Sequence, residues 1–169
     1  MKDASPILQL RAYRPADAEA ITAIYAHYVR TSICTFDFEA PAVEAMAGKF
    51  EAMIAKGHPV IIGEAAGSLV GYAYASDYRP RRGYRFTCED SIYLAPSAVG
   101  HGIGSKMLGR LIDESSKAGL KQMLAVITAE RENSIRLHAK HGFRMIGTYE
   151  ALGYKFDRWL DIVHMQRAL

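Results

Sequence analysis

The chain has 169 residues, a formal net charge of +3 and half of its residues hydrophobic, the make-up of one globular domain long enough to bury a core. So mild a basicity permits an anionic ligand but does not argue for nucleic acid, and no apolar run approaches the roughly 20 residues that span a bilayer. Two cysteines, Cys34 and Cys88, are too few for a disulfide framework and point to a reducing cytoplasm.

Residues 1–10 carry an acid at Asp3 and no apolar signal core, and no repeat or linker breaks residues 1–169, so a single domain is expected. Alternation over 7–13 predicts a first strand. Arg14-Pro15-Ala16-Asp17 then starts a helix whose stripe is Ile21, Ile24, Tyr25 and Tyr28. Residues 31–38 read as a loop. A second helix is predicted over 41–56, with Val43, Met46, Phe50, Met53 and Ile54 inward and Gly57 as its stop. Strands at 59–66 and 69–75 form a hairpin about Ala66-Gly67-Ser68. A strand over 87–94, a helix over 103–117 and a covered apolar strand over 123–127 follow. A helix from Asn133 or Ser134 through His141, then strands over 143–150 and 158–166, complete the chain. The order β-α-α-β-β-β-α-β-α-β-β predicts a layered α/β fold with a mixed sheet.

Gly100-His101-Gly102-Ile103-Gly104 lies between the 87–94 strand and the next helix. Such a loop frees backbone N–H groups to converge on an anion at a helix N-terminus, although glycines also collect at any tight turn. The order Gly104-Ser105-Lys106 fails the Walker pattern, and Ser105 stands where a dinucleotide fingerprint wants its third glycine. Glu89 begins the strand that feeds this loop. It sits beside the anion site, or it simply pairs with a neighbouring arginine. Arg79, Arg81, Arg82 and Arg85 are interleaved with Tyr78, Tyr84 and Phe86. That loop is either solvated or able to clamp a carboxylate near Glu89. Phe36 and Tyr25 are candidate apolar walls, with core packing an equal explanation for Tyr25. No His, Cys and acid cluster has ligand spacing, so no metal is expected.

Several segments occur in a telling order and spacing. They are Tyr78-Arg79-Pro80, the run from Tyr84 through Glu89-Asp90-Ser91 to Tyr93, Gly102-Ile103-Gly104, Ser134-Ile135-Arg136-Leu137-His138, and Gly153-Tyr154-Lys155 through Trp159-Leu160-Asp161. Over residues 8–169 the chain resembles the GNAT acetyltransferase superfamily, in its phosphinothricin and methionine sulfoximine N-acetyltransferase branch. The resemblance implies a GNAT fold, with a mixed, mostly antiparallel sheet flanked by helices. It implies acetyl-CoA as co-substrate, its pyrophosphate held by Gly100, His101, Gly102, Ile103, Gly104 and Ser105. Its pantetheine arm would lie on Ile92, Tyr93 and Leu94, whose main chain would also stabilise the oxyanion. His101 either touches a phosphate or faces solvent.

An amine attacks a thioester only as the free base, so a proton acceptor is needed. The family carries its base at the position of Glu89. His138 is either a second proton carrier or a hydrogen-bonded structural histidine. Arg79, Pro80, Arg81, Glu89, Asp90, Ser91 and Phe36 are the expected substrate residues, for a small amino-acid-like amine. Val99 replaces the family's Arg or Gln, Arg81 replaces an aromatic residue of some relatives, and Arg131 replaces a common Asn. Asn133 either substitutes for that Asn or caps its helix. Neither cysteine lies beside a base, which favours direct transfer. A protein or peptide amine, or acyl-CoA binding without turnover, are the competing readings. The family's habit implies a homodimer.

Overall fold

The computed structural model describes residues 7–169; residues 1–6 of the terminus read above as lacking a signal core lie outside them. Strands β1 (Gln9–Ala12), β2 (Val60–Ala65), β3 (Ser68–Asp77), β4 (Thr87–Leu94), β5 (Gln122–Thr128), β6 (Arg144–Lys155) and β7 (Arg158–Ala168) alternate with helices α1 (Ala18–Thr31), α2 (Val43–Ala55), α3 (Ile103–Lys117) and α4 (Glu132–Lys140). They form one 7-stranded sheet in the order β1-β2-β3-β4-β5-β7-β6. Every pairing is antiparallel except β4 with β5. That parallel pair follows from its connection, because a strand returning in the same direction needs a long crossover, here α3.

Period-2 alternation divides the core between the two faces of the sheet. Ile61, Ala73, Ala75 and Cys88 face α3 and pack with Met107, Leu108 and Leu111. Val60, Ile62, Tyr72 and Tyr74 face the other way and pack with Ile21, Tyr25, Met46 and Phe50 of α1 and α2. On β4, Cys88, Ile92 and Leu94 belong to the first face and Tyr93 to the second. Glu89 therefore shares the α1/α2 side with Ser91, while Asp90 points to the α3/α4 side.

The predicted bounds of β4 and α3 coincide with the observed ones. Pro15–Asp17 forms a separate 3-10 turn ahead of α1, tied by Asp17 Oδ2 accepting the Arg14 amide at 2.7 Å. Ile54, expected inward, is 44% exposed at the end of α2. Strand β6 runs on to Lys155 through two register shifts, with Ala151 at φ 48°. The irregular stretch Glu150-Ala-Leu-Gly hid that continuation, since it breaks alternation. Helix α4 begins at Glu132, with Arg131 at the capping position and the amides of Ser134 and Ile135 on the Arg131 carbonyl. Neither Asn133 nor Ser134 is the cap, because the turn closed by Arg131 N–H on Thr128 O starts the helix earlier.

Candidate active site

Strands β4 and β5 pair only at Thr87–Gln122, Cys88–Met123 and Glu89–Leu124. Beyond Glu89 they part, while β4 keeps β3 as partner to Leu94 and β5 keeps β7 to Thr128. Main-chain groups of residues 90–94 thus lack a strand on the β5 side. The gap opens into a cleft of about 310 Å³ lined by Glu89 to Leu94 on one wall and Ala125 to Thr128 on the other. Val126, within the run expected to be covered, is 40% exposed here. Cys34, Phe36 and Tyr28 close the α1/α2 side, and Ser134, Leu137 and His138 close the α4 side.

At the α3 end, Gly100 and Gly102 hold left-handed φ values of 89° and 74°, which side chains with a Cβ rarely adopt. A Cβ added at either would meet nothing within 4 Å, so their φ values and not crowding call for glycine. Gly102 is the N-cap of α3, whose first amides at Ile103, Gly104 and Ser105 have no intrahelical acceptor. This is an anion cradle built from backbone, and it fits a pyrophosphate. Gly104 and Val99 line the cleft; Gly100, His101, Gly102, Ile103 and Ser105 lie outside that lining, with His101 exposed. The hydroxyl of Ser105 lies 2.8 Å from Nε2 of His141, which ties the first turn of α3 to the end of α4. His141 shows no partner pattern in the sequence, because the contact joins residues 36 positions apart.

Glu89 is half-buried and has no ion-pair or hydrogen-bond partner for its carboxyl among the described residues. Burial, and then the charge of Asp90, hold it above the ordinary carboxylate range. Asp90 and His138 form a buried pair, Nε2 to Oδ2 at 2.9 Å, with side chains 2% and 6% exposed. Nδ1 lies 2.7 Å from the carbonyl of Ser134, which can only accept, so Nδ1 carries a proton. Burial pulls the imidazole down, yet the Asp90 bond and charge outweigh it and leave the net shift upward. Both ring nitrogens are engaged, and none is free to exchange a proton with a thiol or amine. This geometry favours the structural alternative for His138.

The structure brings Glu89, Asp90, Ser91, Ile92, Tyr93, Leu94, Phe36, Asn133 and His138 around one cleft. Arg79, Pro80 and Arg81 stand exposed outside that lining, on a loop folded by the edge-on contact of Tyr78 and Tyr84. Asn133, freed from capping, is exposed at the cleft beside Arg131. Sequence reasoning missed Tyr28, whose hydroxyl donates to Leu94 O at 2.7 Å. Its helical spacing made it indistinguishable from the core stripe. It also missed Thr128, whose hydroxyl donates to Ile33 O at 2.6 Å.

A parting parallel strand pair, a backbone anion cradle at one end and a half-buried acid at the other define an acyl-CoA-dependent acyltransferase. The chain belongs to the acetyltransferase (GNAT) domain family, whose profile matches residues 10–164. It is 42% identical over 161 residues to a phosphinothricin N-acetyltransferase of Alcaligenes faecalis, covering 95% of this chain and 82% of that protein. An L-methionine sulfoximine/L-methionine sulfone acetyltransferase of Salmonella typhimurium is 38% identical over 154 residues, covering 91% of this chain and 90% of its own length. The fold superposes with a TM-score of 0.94 on a GNAT superfamily phosphinothricin acetyltransferase from Sinorhizobium meliloti, solved in complex with acetyl-CoA. That protein is 40% identical, with 96% of this chain and 88% of that chain covered. Among the described residues no group of three or more His, Cys, Asp or Glu could hold a metal ion, and no helix is long and apolar enough to cross a membrane.

Proposed function

We propose that this enzyme moves the acetyl group of acetyl-CoA to the α-amine of a small amino-acid-like compound of the phosphinothricin, methionine sulfoximine or methionine sulfone type. The unpaired, half-buried Glu89 at the point where β4 and β5 separate carries this reading. Acetyl-CoA supplies an acyl group already activated as a thioester. Glu89, with its carboxyl held above the usual range, accepts the ammonium proton so that the free amine attacks; the tetrahedral adduct then breaks its C–S bond, and CoA leaves as the thiol with the second proton of the nitrogen. The unpaired main chain of 90–94 offers N–H groups to the charge that develops on the carbonyl oxygen. The amides of 102–105 hold the pyrophosphate, and Asn133 and Arg131 flank the adenine end. Asp90 and His138, locked together, keep the cleft wall in place. Arg79, with Pro80 and Arg81, meets the substrate carboxylate from the rim, and Ser91 and Phe36 face its side chain. A homodimer in the cytoplasm is the setting we infer, from the exposed apolar residues of β6 and the free thiols of Cys34 and Cys88.

Thiol release from acetyl-CoA across a panel of amino-acid analogues tests the reading. Turnover with methionine sulfoximine or phosphinothricin is expected, and Glu89→Gln lowers kcat/KM by about 10²–10⁴-fold, the usual worth of general base catalysis. His138→Ala loses less. A peptide amine as the better acceptor, or a rise in Tm with acetyl-CoA but no thiol release from any amine, overturns the reading.

A further inference from the structure

The loop after α1 supplies Cys34 and Phe36 to the same side of the cleft as Glu89 and Ser91, yet much of its shape is set from the far edge of the sheet. The Nζ of Lys155, at the end of β6, donates to Ser32 O at 2.8 Å and to Thr35 O at 2.6 Å. Lys155 is 2% exposed. Among the described residues no carboxylate pairs with it, and its ammonium sits 5.1 Å from the Phe156 ring centroid. Burying a cation carries a desolvation cost even after relaxation, and an apolar side chain of equal length would fill the space without it. What the ammonium adds is two fixed bonds spanning the turn that carries Cys34. Two residues earlier on β6, the Phe36 ring lies directly on Gly153. A Cβ there would come within 2.3 Å of the ring, which excludes every other residue unless Phe36 moves.

We propose that Gly153 and Lys155 are positioning residues for the acceptor amine: they set the place of Phe36 and Cys34, so that the β6–β7 hairpin helps to select the substrate. The kinetic part of this inference rests on the proposed reaction; the conformational part does not. Tyr25 and Thr128 hold the loop from α1 and β5, through Tyr25 OH to Asp37 Oδ2 at 2.6 Å and Thr128 Oγ1 to Ile33 O at 2.6 Å. Removing the β6 ties therefore loosens the loop rather than unfolding it.

The thiol of Cys34 reads the loop directly, since Cys88 is 0% exposed and its thiol is pushed up to about 12 by burial. In Lys155→Met, Cys34 should react with an aromatic disulfide about tenfold faster than in the wild type, while Cys88 stays unreactive, the pattern of local rather than global opening. Labelling of Cys34 at the wild-type rate overturns the clamp, whether or not the protein acetylates any amine. Gly153→Ala should raise KM for the amine at least about fivefold, with acetyl-CoA affinity by calorimetry unchanged. In a Phe36→Ala background the same change should have less than about a twofold effect, the non-additivity of residues in contact. An equal effect in both backgrounds, or none in either, removes Gly153 from substrate positioning. Failure of the wild type to acetylate any amino-acid amine would sink the proposed reaction but leave the Cys34 result standing.

Discussion

Alternation along β4 sends two neighbouring carboxylates to opposite faces of the sheet, and their surroundings then give them different chemistry. Glu89 meets a cleft and, among the described residues, no cation, so its carboxyl is held at a raised value, as the proposed proton acceptor requires. The kcat/KM of the wild type should fall as pH drops through that value, at a pH above the ordinary carboxylate range. Glu89→Gln should lose that acid limb along with its rate. Asp90 meets the imidazole of His138 in the core. Because the folded His138 is raised, its bond to Asp90 stabilises fully below the unfolded histidine value of about 6.5 and fades as pH rises through the folded value. Asp90→Asn should therefore cost about 1.5–3 kcal/mol in mild acid, the worth of a hydrogen bond to a charged group. The Tm gap to the wild type should narrow as pH rises through the raised His138 value. A gap that widens instead would mean that the imidazole is neutral.

The junction of β4 with α3 is where sequence and structure agree most closely, and the reason is local. Gly100 and Gly102 act through their own φ values, and the apolar stripe of Met107, Leu108 and Leu111 is spaced for a helix. Gly102→Ala forces a Cβ into the left-handed region, costing about 1–2 kcal/mol, without any steric contact nearby. We expect acetyl-CoA affinity measured by calorimetry to fall about tenfold, since the strain is relieved by turning the helix's first amides away, while kcat at saturation changes less. Other elements were not legible because their causes are distant. The start of α4 is fixed by a turn against β5, not by a capping side chain. The extension of β6 is fixed by pairing with β7, across bulges that erase alternation. Lys155 reads as a surface lysine until Ser32 and Thr35, more than a hundred residues earlier, are seen to receive it.

Over the whole molecule, the sheet ends on β6, an edge strand carrying exposed Met145, Ile146, Tyr149, Leu152 and Tyr154, with Trp159 beside them on β7. A long apolar edge invites pairing with another chain. In the proposed homodimer a second copy would cover this edge, and light scattering should then report twice 18.7 kDa. Leu152→Lys should return the mass to that of one chain without disturbing the fold.

The opposite weakness lies mid-sheet. Within the sheet, four strands on one side and three on the other are hydrogen-bonded to each other only through the three β4–β5 residue pairs, while the core under α3 and the Asp90–His138 pair bridge them from one face. A ligand lying in the gap would act as a splint across it. Acetyl-CoA should then slow deuterium uptake at residues 90–94 and 125–128 together, although the two runs belong to different halves. It should also raise the Tm, because a ligand that binds only the folded state stabilises it.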